Sequence, residues 1–242
     1  TVTGVLTCAL PILDKELYLA FEVLEYALLN APGAPLKKAL IDAGIGKDIM
    51  GSYDNGIYQP IFSIIAKNAN EEQKEEFLSV IRNVLEDCVK NGISKNSLLA
   101  GINSMEFKFR EADFGAYPKG LMYGLQCLDS WIYDEKEPFM HIEAIETYAF
   151  LKEQTKGRYF EELVQKYLLD NTHVSVVITK PQKGLNAENE KALEEKLAAY
   201  KATLSKEEID SLIADTRHLK EYQEEPSPKE DLEKIPLLKR ED

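Results

Sequence analysis

Apolar residues recur along most of the chain with the spacing of amphipathic helices. Asp14 suits the N-cap of a first helix, whose apolar face carries Leu17, Phe21, Leu24 and Leu28. Glycine, proline and polar caps separate this helix from later segments with the same periodicity. These further helices are predicted at residues 35–43, 70–91, 94–109, 117–132, 142–153 and 158–169.

Three regions have the β-branched, apolar character of strands instead. Residues 2–10 and 172–180 predict one strand each. Residues 48–53 and 57–66 predict a β-hairpin, because the Asn-Gly pair between them is a strong turn signal. Pro60 would lie inside the second strand of this hairpin, and since proline has no backbone N–H, the hairpin should offer an edge or a bulge.

The pattern changes after Gly184. Long helical repeats fill residues 185–222, with a break at Leu204-Ser205, and Ser205 and Glu208 fit a capping box at the start of the second helix. This region predicts an antiparallel helical hairpin. Residues 223–242 are charged and contain proline, which is typical of a linker.

The order of these elements predicts an α+β fold. We expect a mostly antiparallel sheet with helices packed on one side, followed by a long helical hairpin. The alternating strand–helix units of a doubly wound parallel sheet are absent from the pattern.

Composition and charge exclude several classes of protein. The 242 residues include 44% hydrophobic side chains, which is too many for a disordered chain. The formal net charge of −13 offers no obvious basic face for nucleic acid, and no apolar run reaches the ~20 residues of a membrane helix. The chain begins without methionine, which suggests processing or a piece of a longer protein.

The three cysteines, Cys8, Cys88 and Cys127, are odd in number and have no metal-ligand or redox spacing. They are best explained as small buried hydrophobic residues. They predict a reducing compartment, either the cytoplasm or an organellar matrix.

Sequence motifs alone reveal no active site. The three histidines, His141, His173 and His218, form no zinc-protease motif, and we expect them to be structural or exposed, with His141 capping a helix or facing solvent. Residues 115–120 contain two glycines and a lysine, but no strand precedes them as a phosphate-binding loop requires.

One polar cluster is a candidate for acid–base chemistry. Glu106, Arg110 and Glu111 lie near the end of one predicted helix, and two carboxylates there could serve a metal-free hydrolase. The simpler interpretation is an ion pair between Glu106 and Arg110, which are four residues apart.

Four segments in the same order nevertheless resemble one family. They are NAPGAPLKKALIDAGIG (30–46), INSMEFKFREADFGAYPKGL (102–121), YFEELVQKYLLDNTHVSVVITKP (159–181), and LAAYKATLSKEEIDSLI (197–213) running into LEKIPLLKRED (232–242). Together they resemble the pitrilysin/insulinase type of zinc metallopeptidase, in its presequence-protease and falcilysin branch.

The resemblance implies an organisation into domains. Residues 1–183 are similar to the second, non-catalytic α+β domain of these peptidases. Residues 184–225 are similar to the helical hairpin that joins their two halves, and residues 226–242 lead to the next domain. The zinc ligands of the family lie elsewhere, so the resemblance implies neither a catalytic residue nor a cofactor in this chain, and zinc only in a full-length parent.

The resemblance also implies a function. The chain would form chamber wall and hinge in an enzyme that degrades unstructured peptides, with the other domains as partners and neither nucleic acid nor membrane. In insulinase-like relatives an edge strand of the second domain holds substrate, and the matching residues here are Met50, Gly51, Ser52, Tyr53 and Tyr58. The alternative is a catalytically inactive binding or scaffold protein of the same superfamily.

Overall fold

A computed structural model describes residues 2–5 and 13–235 of the chain. The chain divides into two compact units, Thr1–Pro181 and Gln182–Asp242. Within the described ranges, no helix combines the length and the apolar character that crossing a membrane requires.

The described part of the first unit contains a four-stranded sheet. Its strands are β1 (Val2–Val5), β2 (Asp48–Asp54), β3 (Ile61–Lys67) and β4 (Ser175–Ile178). They lie in the order β2–β3–β1–β4, and every neighbouring pair is antiparallel. β2 pairs with β3 along its whole length, from Asp48 opposite Lys67 to Asp54 opposite Ile61. Among the described strands, β2 therefore forms one edge of the sheet.

Seven helices accompany the sheet in the described residues of this unit. They are α1 (Lys15–Glu25), α2 (Pro35–Asp42), α3 (Lys74–Asn91), α4 (Lys95–Glu111), α5 (Lys119–Trp131), α6 (Ile145–Gln154) and α7 (Tyr159–Val164). Single π-helical turns extend α1 at Tyr26–Asn30 and α7 at Gln165–Leu169, and a 3-10 turn at Glu71–Gln73 precedes α3. The predicted α+β class is confirmed.

The predicted cap of α1 is also present. The Asp14 carboxylate accepts the backbone N–H groups of Glu16 at 3.1 Å and Leu17 at 2.9 Å. It thereby satisfies two of the donors that the first turn of a helix leaves unpaired.

The core lies between α1 and the sheet. Phe21, Leu24 and Leu28 are fully buried, and the ring of Phe21 meets that of Phe62 on β3 edge-on, with centroids 6.2 Å apart. Each such side chain contributes about 1.5–3 kcal/mol through removal from water. The apolar periodicity of α1 therefore identified the buried face correctly.

The hairpin differs from its prediction. The second strand begins at Ile61 rather than at residue 57, and residues 55–60 form a loop that contains Pro60. Asn55 donates a hydrogen bond to Glu22 at 2.8 Å, and the ring of Tyr58 lies 5.1 Å from that of Tyr133. These contacts with helical parts of the unit hold a wide loop where the Asn-Gly pair predicted a tight turn.

The terminal strands are also shorter than predicted. β1 covers only the first part of residues 2–10, and residues 6–12, including Cys8, lie outside the described part of the chain. β4 covers only the middle of residues 172–180.

The second unit contains α8 (Leu185–Thr203), α9 (Lys206–Glu224) and the short α10 (Lys229–Leu232). The predicted capping box is present, because Ser205 and Glu208 each accept the other's backbone N–H, at 3.2 and 2.7 Å. Leu204 and Ile209, on either side of this cap, are half-buried, as in a hydrophobic staple. Every other residue of α8 and α9 is exposed.

Close packing of α1 against β2 depends on Gly51. A Cβ atom at this position would lie 2.6 Å from Leu29 Cδ1 and 2.7 Å from Glu25 Oε1. Both distances are shorter than a van der Waals contact, so a larger residue would push the end of the helix away from the strand.

We predict that Gly51→Ala lowers the free energy of unfolding by about 1–3 kcal/mol, the usual cost of overpacking. Gly124→Ala is the matched control, since nothing lies within 4 Å of a Cβ there. Alanine in that exposed helical position should stabilise by up to about 1 kcal/mol. Urea unfolding followed by circular dichroism measures both, and equal effects would contradict the close packing.

Candidate functional site: the open edge of the sheet

The outer side of β2 is open in the described part of the structure. No described strand pairs with it, since β3 lies on the inner side only. In an antiparallel strand alternate residues direct both backbone groups away from the partner. The outer side of β2 therefore presents a row of N–H and C=O groups that another strand can pair with.

The side chains of β2 alternate between two faces. Asp48, Met50, Ser52 and Asp54 are exposed, while Ile49 is buried and Gly51 and Tyr53 are half-buried. The predicted residues Met50 and Ser52 thus flank the open edge on the solvent face. A peptide added to this edge would lie beside an apolar thioether and a small hydroxyl.

Gly51 and Tyr53 take different roles from those expected. The space beside Gly51 is filled by Leu29 and Glu25, so this glycine admits a helix of its own chain rather than a foreign backbone. The ring of Tyr53 lies 5.9 Å from that of Phe21 and packs against the core. Both residues hold the strand in place from the helical side.

Tyr58 is not part of either strand. It lies in the loop of residues 55–60, is 60% exposed, and packs against Tyr133, which follows α5. It stands beyond the end of β2, so its contact with a peptide on the edge depends on how far that peptide extends.

A polar network behind the loop escaped the sequence analysis. Tyr18 donates a hydrogen bond from its hydroxyl to Asp129 of α5 at 3.1 Å, and its ring stacks on His141 at 3.9 Å. Glu22, one turn further along α1, accepts the hydrogen bond from Asn55. The helical spacing of Tyr18, Glu22 and Glu25 was the available signal, because it places three polar residues on one face of α1.

Burial dominates the electrostatics of this network. It raises the pKa of Glu22 to about 7, although the hydrogen bond from Asn55 opposes the shift. Burial likewise raises the pKa of Glu25 and of Asp129. The hydroxyl of Tyr18 has a raised pKa from burial and from the nearby Asp129 and Glu22 carboxylates, so it remains a donor.

The expectation that His141 caps a helix or faces solvent was wrong. The residue is buried, with its ring parallel to Tyr18 within 25°. His173 and His218 are exposed. Cys88 is buried as expected and its thiol pKa is raised to about 11 by burial, while Cys127 is half-buried.

The Glu106 cluster is an ion-pair network. Arg110 binds one oxygen of Glu106 through two hydrogen bonds at 2.8 and 2.6 Å, and Lys152 of α6 binds the other oxygen. Lys152 first and Arg110 second lower the pKa of Glu106. A carboxylate held in its ionised form by two cations is poorly suited to proton transfer at neutral pH, so the ion-pair interpretation is confirmed.

Comparison with known proteins identifies the class. The family model described as "Peptidase M16 inactive domain" matches residues 3–105. A second model, for the region associated with subfamily C of the same peptidase family, matches residues 179–242. The chain belongs to the M16 peptidase family, and it corresponds to the inactive domain and the region that follows it in that subfamily. The resemblance to zinc metallopeptidases of the presequence-protease type is confirmed.

Individual relatives agree with this assignment. Protein HypA of Clostridium perfringens is 44% identical over 229 residues, which are 95% of this chain and 23% of the relative. Presequence protease 1 of Arabidopsis thaliana, described as chloroplastic/mitochondrial, is 30% identical over 231 residues, 93% of this chain and 21% of the relative. The chain therefore spans about a fifth of the length of the relatives it matches.

Solved structures share the fold. One described as the inactive peptidase domain of a zinc protease from Bordetella parapertussis superposes with a TM-score of 0.50 at 10% identity, covering 75% of this chain and 92% of the other. A zinc protease structure from Bordetella pertussis gives 0.55 at 10% identity, covering 75% and 94%.

The residues of this chain do not fit a zinc ion. In residues 2–5 and 13–235, no group of three or more histidine, cysteine or acidic side chains could hold a metal. His141 in particular packs its ring on Tyr18. No zinc-dependent step is therefore assigned to residues of this chain.

We predict that stability falls as pH rises between about 4.5 and 7 because of Glu22. Its folded-state pKa of about 7 exceeds the ordinary value of 4.5, so the folded protein binds the extra proton. This contribution is complete below about 4.5 and lost as the pH passes 7, with a slope of at most about 1.4 kcal/mol per pH unit. The groups facing Glu22 are Glu25, Asn55, Asp129, Tyr18 and Tyr148.

Glu22→Gln removes this contribution, so its stability relative to the wild type should increase across that window in urea unfolding. Glu106→Gln is the control of opposite sign. Because the pKa of Glu106 is lowered, its difference from the wild type should be constant between pH 5 and 7 and change only below about 4.5. A constant difference for Glu22→Gln as well would contradict the assigned shift.

Proposed function

We propose that this chain is the non-catalytic part of a zinc metallo-endopeptidase for unstructured peptides, and that β2 binds the peptide as an added strand. The observation that carries the proposal is the open outer side of β2 along its whole length in the described structure. The family assignment supports the peptidase context, and zinc chemistry would come from the rest of the parent protein.

Strand addition suits varied peptides. Backbone hydrogen bonds supply affinity without reading most side chains, while positions such as Met50 and Ser52 modulate it. The receiving strand is also rigid, since β3 pairs with all of β2 and α1 packs behind Gly51 and Tyr53. A rigid edge loses little conformational entropy when a peptide binds.

Exposed apolar surface supports assembly with other domains of the parent. The predicted apolar face of α5 carries Leu121, Leu125, Leu128 and Ile132, and all four are exposed rather than buried. Leu193, Leu197, Leu212 and Ile213 are exposed on α8 and α9. Contiguous apolar surface of this kind marks interaction sites.

The role of each part follows from this proposal. Residues 1–183 would form chamber wall and peptide edge, residues 184–225 the hinge between halves, and residues 226–242 the passage to the next domain. A reducing compartment, the cytoplasm or an organellar matrix, would keep Cys88 and Cys127 reduced.

Backbone-modified peptides test the strand-addition proposal. We predict that an unstructured peptide N-methylated at alternate residues loses about tenfold or more in affinity in one register and little in the other, because only alternate amides face β2. Fluorescence anisotropy with the 242-residue chain measures this. Equal affinity for both registers would contradict strand addition.

A side-chain control completes that experiment. Met50→Ala should weaken binding a fewfold, whereas Met122→Ala on α5 should leave the affinity unchanged, since Met122 is not on β2. Weakening by both variants to the same extent would point away from the edge.

We further predict that the isolated chain self-associates through α5. The double variant Leu121→Glu/Leu125→Glu should shift sedimentation velocity profiles toward the monomer, because it adds charge to the exposed apolar face. Lys119→Glu, which changes charge at the start of the same helix, is the control and should not. A wild-type chain that stays monomeric at rising concentration would contradict the covered-face proposal.

A further inference from the structure

The helices of the first unit enclose a groove of about 790 Å³. It lies among α4, the residues that follow α4, α5 and α6, and Glu22 of α1 lines it as well. The volume falls within the range of ligand-binding clefts. No motif of the sequence pointed to this groove.

Aromatic rings form much of its lining. Phe114 meets Tyr123 edge-on at 5.5 Å, and Phe109 meets Tyr148 at 5.6 Å. Phe107 is 63% exposed at the groove. The electron-rich faces of such rings attract cations and the apolar stems of long side chains.

The charged lining is mainly acidic. Glu22, Glu111 and Asp113 contribute carboxylates, and Lys108 contributes the one cation among the described lining residues. The neighbouring cations Arg110 and Lys152 are held by Glu106, which does not line the groove. In the described structure no Lys or Arg forms an ion pair with any of the three lining carboxylates.

Glu22 gives the acidic lining a defined anchor. Its Oε1 accepts the hydrogen bond from Asn55, and Oε2 accepts none from the residues that the structure describes. Protein surrounds most of the carboxylate, so its ionised form lacks the solvation that water supplies to a surface carboxylate. A cation entering the groove would restore that stabilisation.

We propose that this groove binds the cationic side chain of a peptide, arginine or lysine, with Glu22 as its ion-pair partner and the aromatic rings against its stem. The inference rests on the proposed function in taking the ligand to be a peptide. Asn55 directly follows β2, so one hydrogen bond connects the groove to the end of the edge strand. The groove would select basic residues in substrates that the edge itself does not discriminate.

A charge-reversible peptide pair tests the inference. The probes are an unstructured peptide with one arginine among apolar residues and the same peptide with neutral citrulline in its place. Loss of a hydrogen bond to a charged group costs about 10- to 100-fold in affinity. We expect Glu22→Gln to weaken the arginine peptide by that factor and to leave the citrulline peptide unchanged in fluorescence anisotropy.

Glu106→Gln is the matched control, because it removes a carboxylate from the same unit outside the groove. It should bind both peptides as the wild type does. Equal affinity of the wild type for the two peptides, or of Glu22→Gln and the wild type for the arginine peptide, overturns the inference. Arginine amide binding as tightly as the whole peptide overturns the peptide assignment in favour of a small amine.

The N-methylated peptides separate this inference from the proposed function. Sensitivity to N-methylation without sensitivity to citrulline overturns the groove and keeps the edge. Sensitivity to citrulline and Glu22→Gln without sensitivity to N-methylation keeps the groove and overturns strand addition. No binding of any peptide overturns both.

Discussion

The arrangement of the first unit depends on the close contact between the end of α1 and β2 at Gly51. Leu29 and Glu25 occupy the space where a side chain would project, so the helix lies against the strand at backbone distance. This contact, with Tyr53 packed toward Phe21, fixes β2 from one side while β3 pairs with it along its length. The outer side of the strand is therefore a rigid row of backbone groups, which is what strand addition requires.

The same packing forces an electrostatic cost. α1 turns its polar face, with Tyr18, Glu22 and Glu25, toward the hairpin loop and α5 instead of toward water. Burial of these groups destabilises their ionised forms, and Asn55 and Tyr18 compensate only in part through single hydrogen bonds. A protein retains an incompletely compensated carboxylate at some expense of stability, and a ligand cation at Glu22 would supply the missing partner.

The sequence predicted what local pattern determines. The caps at Asp14 and Ser205, the buried face of α1 and the α+β class follow from short-range chemistry and periodicity. Long-range contacts determine the rest: Asn55 bonds to Glu22, and Tyr58 meets Tyr133, so a wide loop replaces the expected turn. Gly51 was named for the correct strand but the wrong contact, and Glu22 was missed because an isolated glutamate on a helix carries no motif. The exposed leucines of α5 show that periodicity predicts a helix face without saying what covers it.

Residue-resolved amide exchange of β2, with and without an unstructured peptide, tests the central claim most directly. In the free chain, we predict that the outward-facing amides of residues 48–54 exchange fast while those bonded to β3 are protected. Peptide should protect the outward-facing set and leave the inner set unchanged. Protection that appears elsewhere in the chain, with the outer amides of β2 still exchanging fast, would contradict the account.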